Sequence, residues 1–220
     1  MRPRTDADPP QIAGVILAAG AARRFGAQKL LAPLGGRPLV QHVIDAANAS
    51  CLEDIVLVVG TNANDLVAQL EIGRTRVVQN PDPARGLASS LQSGLRSLDQ
   101  SLHAALVLLG DMPGVTTALI DELVARGRET RASAVVSVWR GRRSPPVVLH
   151  KSIWPAALAL DGDIGMREVL AGRNDVVEVE VTPNLGALDD VDTPEDHGRL
   201  RVRGDTRIAS RRSDGGSSAP

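Results

Sequence analysis

Seven short runs of β-branched and aliphatic residues divide the chain: AGVIL (13–17), DIVLVV (54–59), TRVVQ (75–79), AALVLL (104–109), SAVVSV (133–138), PPVVL (145–149) and DVVEVEV (175–181). Most are close to unbroken in apolar side chains, the pattern of strands covered on both faces. Between them the spacing becomes helical. Leu39, Val43, Ile44 and Ala47 fall on one side of a segment that follows Pro38, a residue suited to a first helical turn. Leu87, Leu91, Leu95 and Leu98 repeat the pattern, as do Leu119, Leu123 and Val124. Strand and helix alternate, so the spacing predicts an α/β fold: a mostly parallel sheet with helices on both faces.

Composition narrows this picture. A chain of 220 residues can bury one sizeable core, and with 43% hydrophobic but only 1% aromatic residues that core is built from Leu, Val, Ile and Ala. A formal net charge of -1 points to neither nucleic acid nor membrane as a partner. Cys51 is the only cysteine, which excludes an internal disulfide and suits a reducing compartment. MRPRTDADPPQ at the start holds no apolar targeting run, and no later run approaches membrane-spanning length, so a soluble cytoplasmic protein is expected. The expected organisation is a flexible N-terminus over 1–11, a folded domain over 12–202, and a disordered Arg-, Ser- and Gly-rich tail over 203–220.

The first strand runs into LAAGAARRFGAQK (17–29), where side chains become very small and Arg23, Arg24 and Lys29 crowd together. In open α/β sheets the ligand crevice lies beyond the carboxyl ends of the strands. There Ala18, Ala19 and Gly20 would let a ligand approach the backbone, whose N–H groups can receive phosphate oxygens. Arg24 offers a planar fork and Lys29 a point charge to a polyphosphate. Taken alone, the stretch also fits an ordinary glycine turn with solvated cations. It lacks both G-x-G-x-x-G and G-x-x-x-x-G-K-[ST], which excludes the dinucleotide fingerprint and the Walker loop.

Carboxylates follow two other strands. Asp111, in ALVLLGDMPG, lies at the same expected edge and can hold Mg²⁺ together with substrate phosphates, or can begin a turn completed by Pro113. Asp189, Asp190 and Asp192 follow the last strand, where Asp192 or Thr193 can instead cap a helix opening at Pro194. In NPDPARGLASSLQSGL, Ser89 and Ser93 share one helix face and can meet a ligand or simply solvate it. His42, His103, His150 and His197 show no metal-ligand spacing, and Trp154 reads as a core residue.

The spacing L-A-A-G-x-x-x-R-x-G-x-x-K, carried by Leu17, Ala18, Ala19, Gly20, Arg24, Gly26 and Lys29, closely resembles the signature loop of MobA/MocA-type nucleotidyltransferases. Ala22 stands where that family usually has Ser. The resemblance extends from about Ala13 to His197 and is nearest to the molybdenum cofactor cytidylyltransferases. It implies a Rossmann-like sheet of the nucleotide-diphospho-sugar transferase type, including an antiparallel strand that periodicity does not reveal. Carried over by position, it implies Arg24, Lys29 and Asp111 as catalytic residues. Leu17, Ala18, Ala19, Gly20, Asn80, Gly86, Ser89 and Ser90 become nucleotide contacts, and Asp111 with Asp192, or else Asp190, metal ligands. Gly162, Asp163, Gly165 and Arg167 match the family's G-D-x-G-x-R turn on the acceptor side. Cytidylyl members have L-A-A-G where guanylyl members have a second glycine, so Ala19 implies CTP; its methyl group would narrow the pocket against a purine. Ser144 and Pro145 replace the Gly-His pair common in cytidylyl members.

The implied reaction is a Mg²⁺-dependent transfer of CMP from CTP to the phosphate of molybdopterin cofactor, with a molybdenum hydroxylase as a possible downstream partner. Two alternatives stay open at this point: guanylyl or sugar-phosphate nucleotidyl transfer on the same fold, and a non-catalytic protein that carries or inserts the cofactor.

Overall fold

The computed structural model describes residues 9–20, 29–61, 63–191, 193, 196 and 198. Positions 1–8 and 199–220, which hold most of the expected flexible N-terminus and all of the expected tail, lie outside them. So do Arg24, Gly26, Asp192 and His197. No helix among the described residues is long and apolar enough to cross a membrane.

The elements in chain order are β1 (Ile12–Ala18), β2 (Pro33–Leu34), β3 (Arg37–Pro38), α1 (Leu39–Asn48), β4 (Ile55–Val59), α2 (Asn64–Val67), β5 (Arg76–Gln79), α3 (Leu87–Arg96), β6 (Ala104–Leu109), α4 (Thr117–Glu129), β7 (Ala134–Trp139), β8 (Arg142–His150), α5 (Trp154–Leu158), α6 (Met166–Val169) and β9 (Val176–Glu180). Seven strands form one sheet in the order β5-β4-β1-β6-β8-β7-β9. β1 pairs in parallel with β4 and β6, β4 with β5, and β7 with β9, whereas β8 runs antiparallel to both β6 and β7.

Burial explains the unbroken apolar runs. All seven residues of β1 and all five of β4 are buried, because both sheet faces are covered and a polar side chain on either face would lose water without compensation. Alternation still operates, but between two cores. Ile12, Ile16 and Ala18 face a cluster shared with α1 and α4. Ala13, Val15, Leu17 and Ala19 face a second cluster with α3 and α5. The expected faces of α1 and α4 are the buried ones. α3 approaches the sheet at Gly94, where a Cβ would lie 2.4 Å from Val15 Cγ1.

Two expectations change. Leu87 belongs by spacing to the apolar face of α3 but is 37% exposed, as the first residue of that helix and part of the cleft wall. Pro38 does not open α1 from within; it ends β3, paired with Pro33, and occupies the position just before the helix. Trp154 is a core residue, its indole N–H donating to the Leu149 carbonyl at 3.2 Å. The described histidines have local roles: His42 Nε2 meets the Leu34 carbonyl, Gln11 N–H donates to His103 Nδ1, and the His150 ring bonds Ser152.

Candidate functional site

β1, β4, β5 and β6 all end at one edge, so Ala19, Gly60, Asn80 and Asp111 leave the sheet side by side. Gly110 N–H donates to the Leu17 carbonyl at 2.9 Å, tying the end of β6 to that of β1. This holds Asp111 beside the loop that follows β1. Lys29 opens a single 3-10 turn (Lys29–Leu31) on the far side of that loop, and its Nζ lies 2.8 Å from Asp111 Oδ2. Residues 82 positions apart thus form a largely buried ion pair. The other oxygen, Asp111 Oδ1, is buried and has no hydrogen-bond partner. Val191 N–H donates to the Asp111 backbone carbonyl at 3.2 Å, which brings the 189–191 segment, with Asp189 and Asp190, to the same place. Asp192 itself lies outside the described residues. Among the described residues no cluster of three metal-binding side chains occurs.

A cleft of about 990 Å³ opens at the same sheet edge; Leu17, Leu109 and Asp189 line it, whereas Lys29 and Asp111 do not. Leu17, Leu91 and Val107 are among its apolar lining residues, and Arg140, Arg142, Arg143 and Arg167 also line it. Trp139 and the first three of these arginines surround the tip of the β7–β8 hairpin, and none of them was singled out from the sequence. The signal is WRGRR (139–143): a glycine in a short polar break between two β-rich runs suits a two-residue hairpin turn, which needs positive φ. Arg140 adopts φ 52° and Gly141 φ 74° to make that turn. The Arg140 guanidinium stacks over the Trp139 ring at 5.0 Å and pairs with Asp189 at 2.9 Å, joining the hairpin tip to the acidic segment.

The residues expected on the nucleotide side divide into two groups. Leu17 to Gly20 end β1 at the carboxyl edge, with Gly20 exposed. Asn80, Ser89 and Ser90 are instead buried in one network. Asn80 Nδ2 donates to Ser89 Oγ at 2.8 Å and to Ser90 Oγ at 3.1 Å, and Ser89 Oγ lies within hydrogen-bond reach of the Asp82 and Gly86 carbonyls. These side chains are hydrogen-bonded to one another and to the loop that carries Gly86, which they brace.

The acceptor turn divides as well. Gly165 and Arg167 line the cleft, but Gly162 and Asp163 do not. They pack against the start of α3, where Ala88 N–H donates to the Gly162 carbonyl at 3.2 Å and Asp163 Oδ1 would lie 2.4 Å from a Cβ on Gly86. Arg85 reaches Asp161 at 2.8 Å across the same contact, and its guanidinium holds that carboxyl below the ordinary carboxylate range. Gly162 and Asp163 therefore latch this turn to the start of α3.

A parallel sheet with one reversed strand, and a lysine–aspartate pair at its carboxyl edge beside a charged cleft, define a nucleotidyltransferase of the nucleotide-diphospho-sugar transferase fold. Comparison with known proteins gives the family. The chain belongs to the MobA-like NTP transferase domain family, whose model matches residues 14–178. It is 32% identical over 202 residues to the nicotine blue oxidoreductase of Paenarthrobacter nicotinovorans, spanning 89% of this chain and 98% of that one. It is 33% identical over 131 residues to a probable molybdenum cofactor guanylyltransferase of Pyrococcus horikoshii, spanning 59% of this chain and 63% of that one. The crystal structure of Rv0371C of Mycobacterium tuberculosis in complex with manganese superimposes with a TM-score of 0.74 at 26% identity, covering 86% of this chain and 97% of that one.

Proposed function

We propose that the protein transfers CMP from CTP to the terminal phosphate of a molybdopterin-type acceptor, with Mg²⁺, releasing pyrophosphate. The observation that carries this reading is the Lys29–Asp111 pair, 2.8 Å apart, at the carboxyl edge beside an arginine-rimmed cleft. Both substrates are phosphate anions, so repulsion dominates the barrier. An acceptor phosphate oxygen forms a bond to the α-phosphorus, the bond from that phosphorus to the α–β bridging oxygen breaks, and the electron pair leaves with pyrophosphate. The attacking group is already anionic. Neither a covalent enzyme intermediate nor a general base is required, and catalysis becomes positioning and charge stabilisation.

The donor set fits a hard divalent ion, because Asp111 offers carboxylate oxygens and one of them is buried without a partner. Asp111 would hold the ion together with Asp192, and the manganese bound by the Mycobacterium relative supports a divalent metal. Such an ion, when bound, neutralises charge on the α-phosphate and the incoming phosphate. Lys29 and Arg24 would take up charge on the departing pyrophosphate. Arg142 and Arg167, on the cleft wall, would orient the acceptor's anionic end. The relative named as a molybdenum cofactor guanylyltransferase supports a molybdopterin-type acceptor and favours a second reading, GTP as donor. The loaded cofactor would then pass to a molybdenum hydroxylase.

Thermal unfolding with each of the four nucleoside triphosphates, with and without Mg²⁺, tests the donor. A ligand at about a hundred times its dissociation constant adds about 2.7 kcal/mol of stability. CTP is expected to give the largest shift, and a larger shift with GTP would replace the cytidylyl reading with the guanylyl one. Pyrophosphate release with CTP and acceptor tests the chemistry itself, and its absence would remove the transferase reading. Ala19 is buried at the end of β1. Ala19→Gly is accordingly expected to narrow the preference for CTP over GTP, and an unchanged ratio of kcat/KM values would exclude its methyl group as the discriminator.

A further inference from the structure

In the Asp111 carboxylate one oxygen is engaged and the other is buried. Oδ2 accepts a hydrogen bond from Lys29 Nζ at 2.8 Å, and Oδ1 is sealed from solvent without a partner. Lys29 is 9% exposed, so the pair sits largely out of water, where charge contacts strengthen and an unsatisfied carboxylate oxygen is unfavourable. The backbone of Lys29 is fixed: Ala32 N–H donates to its carbonyl at 3.1 Å, and Leu39 N–H donates to the Ala32 carbonyl at 3.0 Å, anchoring the turn to α1. The ammonium is carried on a four-carbon stem, whose rotations can move it without moving that backbone. A divalent ion needs a carboxylate oxygen at about 2.1 Å. While the pair is closed, an ion at Oδ2 would meet the ammonium at repulsive distance, and Oδ1 stays buried beside it.

We propose that Lys29 is the resident counter-cation of Asp111 in the nucleotide-free protein, so that a divalent ion enters only together with a nucleotide whose phosphates draw the ammonium away. This rests on the metal role of Asp111 proposed above. One cation replaces another, so the carboxylate is never left bare. The same movement delivers Lys29 to the phosphates and frees Oδ2 for the metal. The protein therefore selects the metal–nucleotide complex over the free ion, and the order of binding is built into a single side-chain exchange.

The test uses Mn²⁺ alone as the probe, with free Mn²⁺ read by electron paramagnetic resonance. Full-length wild type, K29M, K29R, D111N and the K29M/D111N double variant are titrated. K29M is expected to bind Mn²⁺ about ten- to a hundredfold more tightly than wild type, since a like charge within a few ångströms has been removed. K29R, which keeps the charge, is expected to bind as weakly as wild type, and the double variant to lose the gain. Equal affinity in K29M and wild type overturns the proposal. So does tight binding to wild type that D111N abolishes, although the metal role of Asp111 would then stand. A gain in K29M that survives D111N removes the metal role instead. Should K29M fail to fold, wild-type crystals soaked in Mn²⁺ with and without CTP decide the matter: Mn²⁺ on Asp111 without nucleotide, or with CTP while Lys29 is still paired, overturns the exchange, and an ion there only with CTP and with Lys29 displaced supports it.

Discussion

Asp111→Asn is expected to lower turnover by about a hundred- to a thousand-fold at saturating divalent metal, the usual cost of deleting one transition-state charge contact. The melting temperature should stay within about 4 °C of wild type, equivalent to roughly 1–2 kcal/mol in a domain of this size. The asymmetry follows from where Asp111 sits. Its backbone is held by β6 and by the contact from Val191, neither of which involves the carboxylate. An asparagine has the same shape, and its amide oxygen still accepts from Lys29. What disappears is a full negative charge where a metal, an α-phosphate and an incoming phosphate would converge. Loss of activity by less than about tenfold at saturating metal, in a variant with a native melt, would take Asp111 out of the reaction.

The parts of this fold that were legible in sequence are those governed by one local rule. Unbroken apolar runs mark strands covered on both faces, and all seven such runs are strands of the main sheet. The direction of β8 is not written in its residues: PPVVL has the same apolar character as the parallel strands, and only the tight Arg140–Gly141 turn makes it run backwards. The site divides along the same line. Lys29 and Asp111 stood out because a small-residue loop and a strand-ending acid both belong at a carboxyl edge. Their mutual distance depended on how the 3-10 turn at Lys29 packs on α1, a long-range matter. Ser89 and Ser90 carry hydroxyls at a helix start, which fits ligand binding and internal bracing equally. Only the position of Asn80, brought over by β5, shows that the hydroxyls are already engaged. Gly162 and Asp163 were placed by motif at the acceptor, yet a motif says nothing of which neighbour its backbone will touch.

Gly86→Ala is expected to be the most damaging single-methyl change at the site. Gly86 holds φ 84° and ψ -166°, a region essentially closed to residues with a Cβ. The added carbon would also lie 2.4 Å from Asp163 Oδ1 and 2.6 Å from the Gly162 carbonyl carbon and oxygen. A side chain could swing aside, but the Gly162 backbone cannot yield without releasing its hydrogen bond to Ala88 N–H. Backbone strain of about 1–3 kcal/mol therefore combines with the opening of the latch, and a fall in melting temperature of roughly 5–10 °C should follow. Nucleotide affinity should weaken with it, since the start of α3 and the Asn80–Ser89–Ser90 brace move together. Gly162→Ala is the matched control: its φ is 71°, but a Cβ there would meet nothing within 4 Å. It bears the strain without the collision and should cost clearly less. Were the two variants to melt together, the close approach of the 161–165 turn to α3 would not be what stabilises this end of the sheet, and the nucleotide and acceptor halves of the site would not be coupled through it.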